Sequence, residues 1–252
     1  LTNSAELYVG YGGSGNSLVI SDGGLVSVGR IAFTGIGAAY IGYDTNSFNN
    51  SVLVTGTNAG GTASTLQVMR QLYVGNAGSG NSLTVSNGGQ VVMGGGLDGG
   101  NLSVGNDLDS SNNRMVVTGP GSLLSVTNYG DSGGSLRVGF GGSGNSMVIS
   151  DGGVVESGSG AIGYDAAASN NSVLVTGANS VWTNSGGLTV GDLGSSNSLV
   201  ISNGGTVANS TGYIGFEATA SNNSVLVSGA GSTWTNSGDL YVGISGSGNS
   251  MV

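Results

Sequence analysis

Asn197-Ser198-Leu199-Val200-Ile201-Ser202 is one copy of a short word that recurs along the whole chain. It returns as Asn223-Ser224-Val225-Leu226-Val227-Ser228, and upstream as Asn171-Ser172-Val173-Leu174-Val175-Thr176 and Asn145-Ser146-Met147-Val148-Ile149-Ser150. Further copies begin at Asn113, Asn81, Asn50 and Asn16, and a last one at Asn249. The nine copies are separated by steps of 34, 31, 32, 32, 26, 26, 26 and 26 residues. A near-fixed period of this size marks a repeat architecture, in which each unit buries its apolar face against its neighbours.

Each unit holds three short apolar runs between turns rich in Gly, Asn and Ser. After Asn197 these are Ser198–Ser202, Thr206–Ala208 and Tyr213–Phe216; after Asn223 they are Ser224–Ser228, Ser232–Thr235 and Leu240–Gly243. Runs this short are not stable as isolated hairpins. Three of them suffice to wind the chain once and lay each run beside its equivalent in the next coil. The expectation is an all-β parallel β-helix (β-solenoid) of about eight coils of 26–34 residues with three strands each. At a strand spacing of about 4.8 Å it forms a rod roughly 38 Å long. No segment keeps a 3.6-residue apolar period, and Gly is dense throughout, so no helix is expected.

Residues 1–252 read as one continuous solenoid segment, a window of a longer repeat protein: the chain opens on Leu1-Thr2-Asn3 and stops within a strand at Val252. Residues 145–252 are regular 26-residue coils, and residues 1–144 are coils with loop insertions. The insertions are expected to contain Ile31-Ala32-Phe33-Thr34, Leu66-Gln67-Val68-Met69 and Gly94 to Gly100, outside the stack. Ile214 lies 17 residues after Asn197 but Val242 lies 19 after Asn223, and Trp182 and Trp234 are 52 apart. The repeating unit of the second half is therefore 52 residues, two coils.

Stacking in register sorts residue types into columns. Asn16, Asn50, Asn81, Asn113, Asn145, Asn171, Asn197, Asn223 and Asn249 are expected to form a ladder at a turn. There Asn tolerates the left-handed conformation, and its amide can bond to the coils above and below. Val9, Leu18, Ile20, Ile41, Val52, Val54 and Val74 belong to the core, and the Gly after each first run supplies a positive-φ corner. Alternation then turns the middle residue of the first run outward. These residues are Val19, Leu53, Val116, Val148, Leu174, Val200 and Leu226, interrupted by Thr84. Such a stripe is a candidate lateral contact with another chain; the plainer reading is surface valine or a column covered by a loop. A second outward column carries Tyr8, Tyr40, Tyr73, Tyr213 and Tyr241, interrupted by Ser103, Arg137, Ala161 and Thr189. Aromatics in a row bind sugar rings or simply stack across strands.

Composition narrows the function. There is no Lys, His or Cys; the only basic residues are Arg30, Arg70, Arg114 and Arg137, against a net charge of -9. Nucleic acid and anionic membrane surfaces need a basic stripe, which is missing. No apolar run is long enough to span a bilayer. Asp44, Asp107, Asp165 and Glu217 recur at equivalent places in alternate coils, a repeat logic distinct from a dedicated carboxylate pair. No catalytic, cofactor-binding or metal-ligating set is assigned. Ca²⁺ is the one ion admitted, at Asp22-Gly23-Gly24, Asp151-Gly152-Gly153 or Asp107-Leu108-Asp109. The calcium-binding nonapeptide itself fails, because Ser17, Ser82, Ser146 and Ser198 stand where it requires Asp.

The words Leu72 to Gly89 and Leu188 to Gly205 follow Leu-x-Val-Gly-x-x-Gly-Ser-Gly-Asn-Ser-Leu-x-Ile-Ser-Asn-Gly-Gly with small changes. They resemble the repeats of autotransporter passenger domains and of secreted bacterial proteins of the T5SS/PEP-CTERM-associated repeat type. The resemblance spans essentially the whole chain. It implies a right-handed parallel β-solenoid exported to the cell surface or beyond, as a stalk or adhesin, and it carries no catalytic residues. The expected function is an extracellular structural or adhesive protein without catalysis, self-associating head-to-tail or laterally or meeting surface glycans. The alternative is a carbohydrate-binding or polysaccharide-cleaving β-helix.

Overall fold

The structure, a computed structural model, describes residues 1–29, 37–94, 100–126 and 134–252. Among the described residues none is helical, so no helix is long and apolar enough to cross a membrane. The described strands form three sheets of nine, each strand pairing in parallel with its equivalents in the coils before and after, and the strands at the two ends of each sheet with one equivalent only. The first runs make one sheet, from Ser17–Ile20 to Ser250–Met251; the second runs another, from Thr2–Asn3 to Thr233–Asn236; the third runs the last, from Leu7–Val9 to Leu240–Val242.

Register is set by identity of position. Val148 pairs with Leu174, Leu174 with Val200 and Val200 with Leu226, so like side chains stack along the rod. In a strand such as Ser198–Ser202 the second and fourth residues are buried and the others half-exposed. That alternation is what lets three apolar residues in a row serve a single core. The inward residues of all three sheets make one hydrophobic cluster, in which Leu83, Met115, Leu136, Met147, Val175 and Leu199 are fully buried.

The two-coil unit has a structural basis. In the coil starting at Asn197 the three corners, each counted as the residues between strands, hold 203–205, 210–211 and 215–223; in the next they hold 229–232, 237–239 and 243–249. Each of the first two corners gains one residue and the third loses two, so the period stays constant while the loops alternate. The core alternates with them. Trp182 is fully buried, its Nε1 donating to Ser157 Oγ at 3.2 Å, and it stands over Gly160, where an added Cβ would lie 2.7 Å from its Cζ2. Trp234 stands over Gly212 in the same way, at 3.0 Å.

At the third corner the asparagines form a continuous ladder. The backbone N–H of Asn171 and its Nδ2 both donate to Asn197 Oδ1, at 2.9 and 3.1 Å, and Asn197 repeats the pair on Asn223 Oδ1 at 2.8 and 3.1 Å. The same double bond joins every successive pair from Asn16 to Asn249. The seven asparagines between those two are wholly buried.

Two expectations are corrected. The ladder asparagines are not left-handed; the residue before each of them is, as Gly15, Asn49, Gly80, Asn112, Gly144, Asn170, Ser196, Asn222 and Gly248, with φ between 54° and 72°. The turn must complete before the Asn so that its own N–H can point along the rod. Leu66-Gln67-Val68-Met69 is not an insertion either: Leu66 and Val68 are core residues of the strand Thr65–Val68, paired on both sides. The extra length of that coil lies in its first corner, residues 56–64, closed by an isolated bridge between Thr57 and Ala63. Ile31–Thr34 and most of Gly94–Gly100 lie outside the described residues.

Candidate functional site

Three columns carry the polar, apolar and aromatic chemistry: the buried Asn ladder, the apolar stripe of the first-run sheet, and the aromatic face of the third-run sheet.

The ladder is closed to ligands by its own packing. A Cβ added to Gly163 would lie 2.1 Å from Asn197 Nδ2, and one on Gly191 2.1 Å from Asn223 Nδ2. A column of positive-φ glycines therefore gives the Asn amides their space. It runs through Gly10, Gly42, Gly75, Gly105, Gly139, Gly163, Gly191 and Gly215, each under the Asn of the following coil. The spacing from Gly to Asn, alternately eight and six residues, was the readable signal for it.

The stripe exists as a column, with Val19, Leu53, Thr84, Val116, Val148, Leu174, Val200 and Leu226 in register. Val19 is 59% and Leu226 38% exposed; the residues between them are half-buried.

The aromatic face is larger than the tyrosine column alone. Tyr8, Tyr40 and Tyr73 stack at ring-centroid distances of 5.0 Å, and Tyr213 and Tyr241 at 5.5 Å. Beside them runs a second column containing Tyr11, Tyr43, Phe140, Tyr164 and Phe216. Tyr11 stacks on Tyr43 at 4.9 Å and Phe140 on Tyr164 at 5.1 Å. The columns meet edge to face: Tyr8 and Tyr11 at 5.1 Å, Tyr40 and Tyr43 at 5.0 Å, Tyr213 and Phe216 at 5.1 Å. Both arrangements suit the ring quadrupole. The backbone stays hydrogen-bonded to the preceding coil here, Tyr43 N–H donating to Gly10 O and Tyr164 N–H to Gly139 O, each at 2.9 Å. A positive-φ Gly between the columns bends the chain so that residues three apart share one face.

Electrostatics tighten this face. The hydroxyls of Tyr8, Tyr73 and Tyr241 donate to carboxylate or amide oxygens two residues earlier, on Glu6, Gln71 and Asp239. The bond to Glu6 pushes the Tyr8 phenol well above its ordinary value, and burial pushes Tyr40 up to about 12. Burial likewise raises Tyr73, and the bond to Asp239 raises Tyr241. Where the tyrosine column is broken, the Arg137 guanidinium lies over the rings of Phe140 and Tyr164, 5.3 and 5.0 Å from their centroids. Cation–π contact fixes its direction. Nearby, burial raises the Asp192 carboxyl, helped by Glu217 and Asp165 and opposed by Arg137.

Asp44, Asp107, Asp165 and Glu217 occupy equivalent corners: each accepts, through its own carbonyl, a bond from the N–H three residues on, at 2.9–3.0 Å. Among the described residues no three acidic groups gather closely enough to hold a cation. Comparison with models of known protein families, with curated proteins and with solved structures found no match.

Proposed function

We propose that this chain is a mechanical element: an extracellular rod, a stalk or fibre-forming surface segment, that holds and presents adhesive faces without catalysis. The observation that supports it best is the Asn ladder. Successive coils join through two side-chain-centred bonds, buried from water everywhere but at the first and last steps, added to three strand ladders. Buried hydrogen bonds are costly to break, and here they are distributed over equivalent interfaces, as a load-bearing rod requires. The low charge, the resemblance of the repeats to exported bacterial solenoids and the apolar column from Val19 to Leu226 favour a surface role with self-association. Electron microscopy across a concentration series tests this. Paired or bundled rods that disperse in a Val148→Asn/Val200→Asn variant are expected; single short rods at every concentration would remove self-association from the proposal.

A second reading, glycan binding, is favoured by one observation: the doubled aromatic columns, which offer more stacking area than core packing needs. Glycan-array binding and a reducing-sugar assay separate binding from cleavage, and the expectation is binding without release of reducing ends.

A further inference from the structure

The tyrosine column of the third-run sheet is in two pieces, with Ser103, Arg137, Ala161 and Thr189 between Tyr73 and Tyr213. Ala161 and Thr189 are too small to fill the height of their coils, and a recess of about 190 Å³ opens over them. Arg137 bounds it toward one end of the rod, its guanidinium held against Phe140 and Tyr164. Beyond the other end stands Tyr213, in register with Thr189 one coil on, its Cε2 3.8 Å from where a Cβ added to the lining residue Gly187 would lie. Tyr164 and Asp192 form one flank. Ser135 and Ser159, whose hydroxyls are 3.0 Å apart, form the opposite one. The floor is fixed from beneath: Gly160 cannot carry a side chain, because Trp182 and Leu188 fill the core below it.

We propose that this recess is a subsite for one neutral pyranose ring of a surface or matrix polysaccharide. The proposal rests on the glycan-binding reading above and locates it. Rings along this face already stack 5.0–5.5 Å apart, and Arg137 and Tyr213 are three coils apart, about 14 Å. A flat ring entering the gap continues the interrupted stack, its apolar C–H face on Tyr213. Pockets that enclose whole drug-sized ligands run to about 300–1,000 Å³, so this one takes a single residue of a longer chain. Arg137 donates and Asp192 accepts, which matches neighbouring sugar hydroxyls. Arg137 and Asp192 are the charged groups of the lining; Glu217 and Asp165 stand close enough to act on Asp192, so the surroundings of the recess are net negative and uronic acids are disfavoured.

Calorimetric titration with cello-, manno- and galacto-oligosaccharides and with oligogalacturonate tests it. The Ala161→Tyr variant restores the side chain that five equivalent positions carry, so it folds while filling the gap; Arg137→Gln removes the donor and keeps the volume. At least one neutral oligosaccharide is expected to bind, with at least tenfold weaker affinity in both variants that retain the wild-type melting temperature. Wild-type affinity in Ala161→Tyr overturns the subsite and leaves the glycan-binding reading standing. Absence of any binding to the wild-type chain overturns both. Preference for oligogalacturonate overturns the assignment of a neutral ligand.

Discussion

Asn171 places two donors, its backbone N–H and its side-chain Nδ2, on the single Oδ1 of Asn197, which is wholly buried. One amide oxygen thus satisfies both the turn and the column. The relation is directional, because each Asn donates toward the C-terminal coil and accepts from the N-terminal one.

Replacing Asn197 with Ala removes the oxygen that accepts from both Asn171 N–H and Asn171 Nδ2, together with the bonds from Asn197 Nδ2 to Ala168 O at 3.0 Å and to Asn223 Oδ1 at 3.1 Å. Each buried polar group left unpaired costs about 1–3 kcal/mol. The expected loss is about 3 kcal/mol, read from the urea midpoint at unchanged slope. A loss below about 0.5 kcal/mol would mean that water replaces the amide, and the ladder would then contribute little.

The glycine column makes a sharper claim. Gly163 and Gly61 both have positive φ, +77° and +82°, but a Cβ on Gly163 overlaps the Asn197 amide whereas one on Gly61 meets open space. Gly61→Ala carries the backbone cost alone, about 1–2 kcal/mol. Gly163→Ala carries that and the overlap, so about 3 kcal/mol or more is expected. Equal midpoints for the two variants would contradict the packing role.

Trp182 and Gly160 form a large–small pair, and Leu188 under Val207 is the complementary arrangement one coil later. Trp182→Val alone opens a cavity, costing about 3–5 kcal/mol. Gly160→Leu alone overpacks the core, costing about 1–3 kcal/mol. The double variant is expected to be more stable than the sum of the two by at least about 1 kcal/mol. Additive behaviour would show that the two coil types are not specified by this pair.

Why some of this was readable is visible in particular residues. Parallel stacking in register turns a sequence period directly into a spatial column, so the Asn, Val19-to-Leu226 and Tyr columns followed from counting. The second aromatic column did not, because Tyr11, Tyr43 and Tyr164 each follow a Gly, and alternation alone does not place a residue beyond that Gly on the same face as the residue of the tyrosine column three before it. The positive-φ Gly bends the strand without ending its hydrogen bonding. The left-handed position was displaced by one residue for a related reason. Asn49-Asn50 and Asn170-Asn171 offer two candidates, and only the direction of the N–H chooses between them. Leu66 and Val68 were misplaced because a 31-residue coil shows how much has been inserted but not at which corner.

The phenols supply a test of the aromatic face in solution. Tyr40 is pushed up to about 12 by burial, and Tyr8, Tyr73 and Tyr241 are also raised. In the unfolded chain tyrosine titrates near 10. Between those values the folded protein binds more protons than the unfolded chain, so the stabilisation is complete below pH 10 and is lost as the pH climbs through the folded values. Part of the phenolate absorbance should rise in a late phase, above the ordinary value. The urea midpoint should fall as the pH climbs through that late phase. Tyr40→Phe should shrink the late phase, and Glu6→Gln, which removes the carboxylate bonded to Tyr8, should bring part of it to lower pH. A single phase at the ordinary value would mean that the tyrosines stand in water as separate side chains, and the stacked face would not exist in solution.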